Sequence, residues 1–235
     1  MAGTAVIIGA SGGIGAALAD ALEEEGHFSQ VLRFARTLPA PFALDITDEA
    51  SVRAAAELVQ SKLAGKPLEL VIVATGLLHD GERGPEKANA RLDPDWMLRN
   101  FAVNSVGPAI VAKHFMPLLP RDERSIFAAL SARVGSISDN RMGGWHSYRA
   151  AKAALNQLIR TMSIELARTH KRSICVTLHP GTVDTGLSKP FQSNVPAGQL
   201  FSADRAAVQL LDVLDGLRPV DSGKCFAWDG VEIAP

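Results

Sequence analysis

The chain has 235 residues, 47% of them apolar, which suffices for the core of one large α/β domain and argues against global disorder. With 24 Lys and Arg against 25 Asp and Glu, the net charge of −1 offers no handle for nucleic acid or an anionic membrane. Cys175 and Cys225 sit in short apolar runs and read as buried reduced thiols, without metal or disulfide spacing. His79, His114, His170 and His179 also lack metal-like spacing, so no metal site is expected. The start of the chain carries no basic n-region, and the longest apolar stretch, residues 70–78, is far short of a membrane span. The expectation is a cytoplasmic protein.

Residues 5–8 form a continuous apolar run, as in a buried parallel strand. Gly9-Ala10-Ser11-Gly12-Gly13-Ile14-Gly15 follows, then a helical pattern from Ile14 to Glu25 with Gly26 as its stop. Strand, glycine turn and helix together aim free backbone N–H groups at a phosphate, although the spacing is GxxxGxG rather than GxGxxG. Residues 30–36 read as the second strand. An acid at this distance from the glycines suits a ribose 2′-hydroxyl, but Ala35 and Arg36 stand here instead. Arg36 is open to two readings, a partner for a 2′-phosphate or a solvated charge at a strand end.

Residues 42–46 read as a short strand, with Thr47 or Asp48 capping a helix to about Leu63. Residues 68–74 form another apolar strand, and residues 79–92 a charged surface excursion. Asp93-Pro94 starts a helix, which Pro108 should break or kink just after Asn104. Residues 125–130, 174–178 and 224–228 complete the strands, and residues 203–217 the last helix. Residues 186–202 read as a mobile substrate lid or a plain surface loop. The alternation of strands and helices predicts one doubly wound parallel sheet of about seven strands, with helices on both faces and ligands at the carboxyl ends of the strands. Gly9, Asp45, Gly76, Ser131 and Pro180 all fall at those ends.

Tyr148 and Lys152 are four residues apart at the start of a helix expected over residues 148–168. On one helical face, an ammonium near a phenol lowers the phenol's pKa from about 10 and makes a usable proton donor and acceptor. Tyr148 is the one tyrosine of the chain, and a polar, Gly-rich stretch, residues 135–147, leads into it. The apolar positions of this helix exceed one stripe, which fits burial against a second subunit or under a neighbouring helix.

With these residues in hand, the chain resembles the short-chain dehydrogenase/reductase family over nearly its full length. Gly9, Gly13 and Gly15 resemble its glycine motif, with Ile8 in place of the usual threonine. Asp45 matches its adenine-contacting aspartate, and Ala74-Thr75-Gly76 its Asn-Ala-Gly turn. Asn104 matches its catalytic-helix asparagine, Tyr148 and Lys152 its YxxxK, and Pro180-Gly181-Thr182-Val183 its carboxamide-holding loop. Residues 131–136 and 143–145 are similar to the branch holding the C-factor signalling protein and sniffer-type carbonyl reductases.

The resemblance implies a single Rossmann-like domain over residues 1–235 and NAD(P)H-dependent interconversion of a carbonyl and a hydroxyl. NADP(H) is the preferred cofactor, with NAD(H) possible. The implied cofactor set is Gly9, Ser11, Gly12, Gly13, Ile14, Gly15, Arg36, Asp45, Ile46, Ala74, Thr75, Gly76, Pro180, Gly181, Thr182, Val183 and Thr185. Tyr148 would pass the proton, Lys152 would tune it and hold the nicotinamide ribose, and Asn104 would hold a water leading to solvent. The family's substrate-binding serine is Ala132 here, so Ser136 is expected to replace it, with Ser131 as the alternative. The partners implied are a small carbonyl or alcohol and further copies of the chain, as a homodimer or homotetramer. The competing reading is a cofactor-binding signalling or sensing protein with little turnover.

Overall fold

The computed structural model describes residues 3–81, 83–196 and 198–235. β1 (Thr4–Ile8) is buried throughout, and parallel strands flank it on both sides. The elements that follow are α1 (Gly13–Glu25), β2 (Gln30–Phe34), α2 (Glu49–Leu63), β3 (Leu68–Val73), α3 (Pro94–Phe101) and α4 (Gly107–Phe115). The second half holds β4 (Ser125–Leu130), α5 (His146–Leu166), β5 (Ser173–His179), β6 (Thr182–Val183), β7 (Leu200–Phe201), α6 (Ala203–Gly216), β8 (Cys225–Ala227) and β9 (Glu232–Ile233). Seven strands form the main sheet in the order β2-β1-β3-β4-β5-β8-β9, parallel except for the last pair. This is the doubly wound, Rossmann-like sheet expected from the alternating pattern.

One face of the sheet packs Ile7, Ile72 and Val176 against α1 and α6. The other packs Val6, Val71 and Phe127 against α2, α4 and α5. Both faces are thus covered, which is why the strands read as unbroken apolar runs. Asp48 caps α2 through Ala50 N–H, Asp93 caps α3 through Trp96 N–H, and left-handed Gly26 ends α1, all as their sequence positions predict. Cys175 and Cys225 are free and buried. Among the described residues, no helix is long and apolar enough to cross a membrane.

The structure corrects several boundaries. Residues 42–46 are not a strand: a single parallel bridge, Ala35 to Ala43, links them to the sheet edge. Pro41 has no N–H to give, and Asp45 N–H turns away to Ser51 Oγ at 3.0 Å. The seventh strand is β9 instead. The tyrosine-bearing helix starts at His146 rather than Tyr148. The break expected after Asn104 is a π-turn, Ala102–Val106, in which Gly107 N–H reaches back to Ala102 O and the helical path continues into α4. An α-helical Pro108 would clash with the Asn104 carbonyl, and the wider turn relieves this. Residues 186–202 contain a 3-10 turn over Lys189–Asn194 and end in β7, which pairs in parallel with β6.

Candidate active site

Tyr148 and Lys152 occupy adjacent turns of α5, and both are buried. Lys152 Nζ lies 5.7 Å from the centre of the Tyr148 ring and donates to Leu130 O, at the carboxyl end of β4, at 2.7 Å. Burial pushes the Lys152 ammonium down to about 7, with a small opposing contribution from Cys225. Burial pushes the Tyr148 phenol up. This corrects the expectation of a lowered tyrosine: in the protein alone, desolvation outweighs the ammonium, whose own charge is disfavoured near neutral pH. The 3-10 turn Arg133–Gly135 lies against this helix so tightly that a Cβ on Gly135 would come 2.9 Å from the Lys152 backbone.

Asn104 is buried, and its amide clamps one residue from both sides. Oδ1 accepts Leu77 N–H at 3.0 Å, and Nδ2 donates to Leu77 O at 2.8 Å. Nδ2 also approaches Asn100 Oδ1 at 3.3 Å. The side chain thus binds the segment just after Gly76.

The glycine turn is built by close approach. Gly9 has φ +92°, and a Cβ there would meet the Ala74–Thr75 backbone at about 2.9–3.0 Å. A Cβ on Gly15 would come 2.2 Å from Gly9 O, so only glycine lets α1 start this close to β1. Ser11, Gly12 and Gly13 are exposed, and no side chain caps α1. Thr185 reaches over Gly13, where a Cβ would meet its Cγ2 at 2.7 Å. Thr75 Oγ1 is buried and has no hydrogen-bond partner among the described residues. At the end of β2, Arg36 is exposed. Asp45 Oδ1 accepts from both Thr47 N and Oγ1. These bonds, with a smaller contribution from Arg36, hold the Asp45 carboxyl below its usual range. Ile46 packs against Gly107. Pro180, Gly181, Thr182 and Val183 run from the end of β5 into β6.

Neither candidate serine is bonded to Tyr148. Ser131 donates to Asn156 Oδ1 at 2.8 Å, and the same oxygen accepts from Thr177 Oγ1 at 3.0 Å. Ser136 is buried and accepts Asp139 N–H at 3.1 Å, while its own proton faces only the distant Ser138 Oγ and Pro235 O, at 3.4 and 3.5 Å. Ser136 thus keeps the less committed hydroxyl.

Several residues at the site had no role assigned from the sequence. Trp145 packs edge-on to Tyr148 at 6.3 Å and to Phe191 at 5.2 Å, and Phe191 meets His79 at 5.9 Å, between ring centroids. His79 Nε2 also contacts Gly186 O at 3.0 Å. An aromatic row therefore joins the segment after β6 to the tyrosine. Glu86, in the supposed surface excursion, is buried against the start of α5. A broad surface groove lined by His27, Glu69, Arg124 and Asp215 lies elsewhere and holds none of these residues.

Known proteins with this arrangement are numerous. Residues 3–196 match the family described as short chain dehydrogenase. "1-Hydroxy-2-glutathionyl-2-methyl-3-butene dehydrogenase" of Rhodococcus sp. (strain AD45) is 30% identical over 235 residues, covering 97% of each chain. "C-signal" of Myxococcus xanthus is 35% identical over 137 residues, 58% of this chain and 77% of the relative. Among solved structures, an NADPH-bound carbonyl reductase from chicken fatty liver has a TM-score of 0.84 at 25% identity, over 100% of this chain and 94% of that one. The carbonyl reductase Sniffer of D. melanogaster shares the fold, with a TM-score of 0.84 at 19% identity over the full length of both chains. Together with the sheet order, the glycine turn and the Tyr148–Lys152 pair, the match over residues 3–196 establishes that the chain belongs to the short chain dehydrogenase family of oxidoreductases.

Proposed function

We propose that the protein is an NADP(H)-dependent reductase of a small carbonyl compound, or the reverse dehydrogenase, with Tyr148 as the acid and base. The observation that carries this reading is the buried Tyr148–Lys152 pair at the carboxyl end of the sheet. The residues present fit a dinucleotide. Gly9, Gly13 and Gly15 leave a cradle that a Cβ would fill, the first turn of α1 has no side-chain cap, and the Thr75 hydroxyl is buried with no partner among the described residues. Ser11, Gly12 and Ile14 belong to that cradle. Asp45, Ile46, Ala74 and Gly76 would line the adenine and ribose side. Pro180, Gly181, Thr182, Val183 and Thr185 would line the nicotinamide side. When bound, the nicotinamide supplies the hydride.

The chain's own residues do the rest. Tyr148 passes its phenolic proton to the substrate oxygen as the carbonyl is reduced. Lys152, held by Leu130 O, makes the phenolate less costly once charge develops. Asn104 holds the Leu77 backbone and so the wall beside Gly76. Ser136 supplies the second hydrogen bond to the substrate oxygen. Arg36 faces the solvent where a 2′-phosphate would extend, and carries the preference for NADP(H). Residues 186–202 close over the substrate. The reading includes a cytoplasmic homodimer or homotetramer, in keeping with exposed Leu98, Val106 and Ile164 on the helical face of α3, the π-turn and α5.

A screen of aldehydes, ketones and secondary alcohols, read by NADPH absorbance, tests this. Tyr148→Phe should lower turnover on an accepted substrate by about 10²-fold or more and leave cofactor affinity nearly unchanged. Near-normal activity of that variant refutes the assignment. A second reading, a cofactor-binding sensor with little turnover, draws on the likeness to C-signal. It gains if the protein binds NADPH and turns over no substrate.

A further inference from the structure

We infer that Glu86 is a positioning residue for Tyr148: its carboxylate closes the first turn of α5 and fixes the backbone from which the tyrosine projects. Its kinetic consequence rests on the function proposed above; its structural consequence does not.

The approach to α5 is tied locally by Gly143 N–H to Asn140 Oδ1 and by Arg149 Nε to Gly144 O, both at 3.0 Å, but its own residues do not cap the helix. Gly143, Gly144 and Trp145 all adopt left-handed conformations, with φ of +64°, +66° and +53°. Trp145 is the N-cap residue and has no side-chain oxygen to offer the helix. Glu86, 61 residues earlier in the chain than Ser147, supplies what is missing. Its backbone carbonyl accepts Trp145 N–H. Its Oε2 accepts Ser147 N–H at 3.1 Å, and its Oε1 accepts the Ser147 hydroxyl. Ser147 is fully buried, Glu86 is 4% exposed, and Tyr148 is the next residue.

Among the described residues, no Lys, Arg or His forms an ion pair with Glu86. A buried carboxylate without a cation is costly unless hydrogen-bond donors and a helix N-terminus stabilise it. A serine or aspartate at position 145 would have capped the helix locally. That position instead holds a tryptophan stacked edge-on to Tyr148 and Phe191, and the cap comes from a distant loop. The loop of residues 79–92 is thereby coupled to the geometry of the tyrosine.

Tyr148 is the only tyrosine in the chain, so 3-fluorotyrosine labelling gives one fluorine resonance that reports its surroundings without any turnover. Wild type, Glu86→Gln and Glu86→Ala are compared well below their melting temperatures. Glutamine can still accept Ser147 N–H and can donate to the Ser147 hydroxyl, so Glu86→Gln should keep the wild-type line. Glu86→Ala should shift the line by several line widths or split it. On an accepted substrate, Glu86→Ala should lower kcat by about 10- to 100-fold, leave the KM for NADPH unchanged and raise the primary isotope effect with 4-deuterated NADPH.

A wild-type line and wild-type kcat in Glu86→Ala, with only a lower Tm, would make Glu86 an ordinary cap and overturn the inference. If Glu86→Ala does not fold, Ser147→Ala, which deletes one of the two carboxylate contacts, must move the line; an unmoved line overturns the inference equally. A wild type that reduces no carbonyl would remove the proposed function while the fluorine comparison still decides the role of Glu86.

Discussion

Lys152→Met should make the protein more stable at pH 6 and remove that advantage as the pH rises. The methionine keeps a long, flexible side chain and discards the amine. Lys152 is 2% exposed, and its ammonium is pushed from an ordinary 10.5 to about 7. That difference corresponds to about 5 kcal/mol against the charged form, with the bond to Leu130 O already included in it. The cost of the ammonium in the folded state at pH 6 is therefore about 5 kcal/mol. Because the folded pKa lies below the unfolded one, the unfolded chain binds the extra proton between about pH 7 and 10.5. Wild-type stability must therefore rise with pH across that window relative to the methionine variant. The full penalty stands below the window and is gone above it. The expected change in the difference between pH 6 and pH 9 is about 3 kcal/mol. Urea unfolding of both proteins at pH 6, 7.5 and 9 measures it, since titrations common to both cancel. A difference that stays constant with pH would refute the argument that Lys152 is held as a desolvated amine.

Further outcomes follow from the same geometry. Arg36→Ala should weaken NADPH binding by about 1.5–3 kcal/mol and leave NADH nearly unaffected, as read by fluorescence titration; equal losses for both would refute a 2′-phosphate contact. Ser136→Ala should lower kcat/KM by about 10²–10³-fold, whereas Ser131→Ala, which strips a partner from Asn156, should chiefly lower Tm; the opposite pattern would make Ser131 the substrate donor. Gly135→Ala forces a Cβ to 2.9 Å from the Lys152 backbone and should cost about 1–3 kcal/mol of stability by denaturant melt; an unchanged midpoint would show that the 3-10 turn yields freely.

What could be foreseen from the chain was set by local spacing. The pairing of Tyr148 with Lys152 follows from helical periodicity, and the contact of Gly9 with Gly15 follows from a turn only glycine can make. The disturbance near Asn104 was legible because Pro108 lacks an N–H, although not its form as a π-turn. The misread strand at residues 42–46 has the right residues, but of its backbone donors only Leu44 N–H reaches the sheet edge, at Ala35 O, while Phe42 N–H goes to a turn and Asp45 N–H to Ser51. The tyrosine's raised pKa depends on how much protein surrounds it, which spacing does not encode. Glu86 escaped notice for a similar reason: a buried acid looks like its solvated neighbours until a partner 61 residues away is brought to it.

The π-turn at Ala102–Val106 has a consequence for how this site can change over generations. A π-turn is an α-helix carrying one surplus residue. Deleting any one residue between Ala102 and Val106 would remove the wider turn, bring Pro108 up against the carbonyl four residues before it, and rotate α3 and α4 by about 100° relative to each other. Asn104 and Asn100 could no longer both present their amides as they do now, and the grip on Leu77 would go. No single substitution in that helix reproduces such a rotation. The placement of the asparagine is thus recorded in the length of the chain as much as in its letters, and a lineage that drops the extra residue loses the wall beside Gly76 in one step.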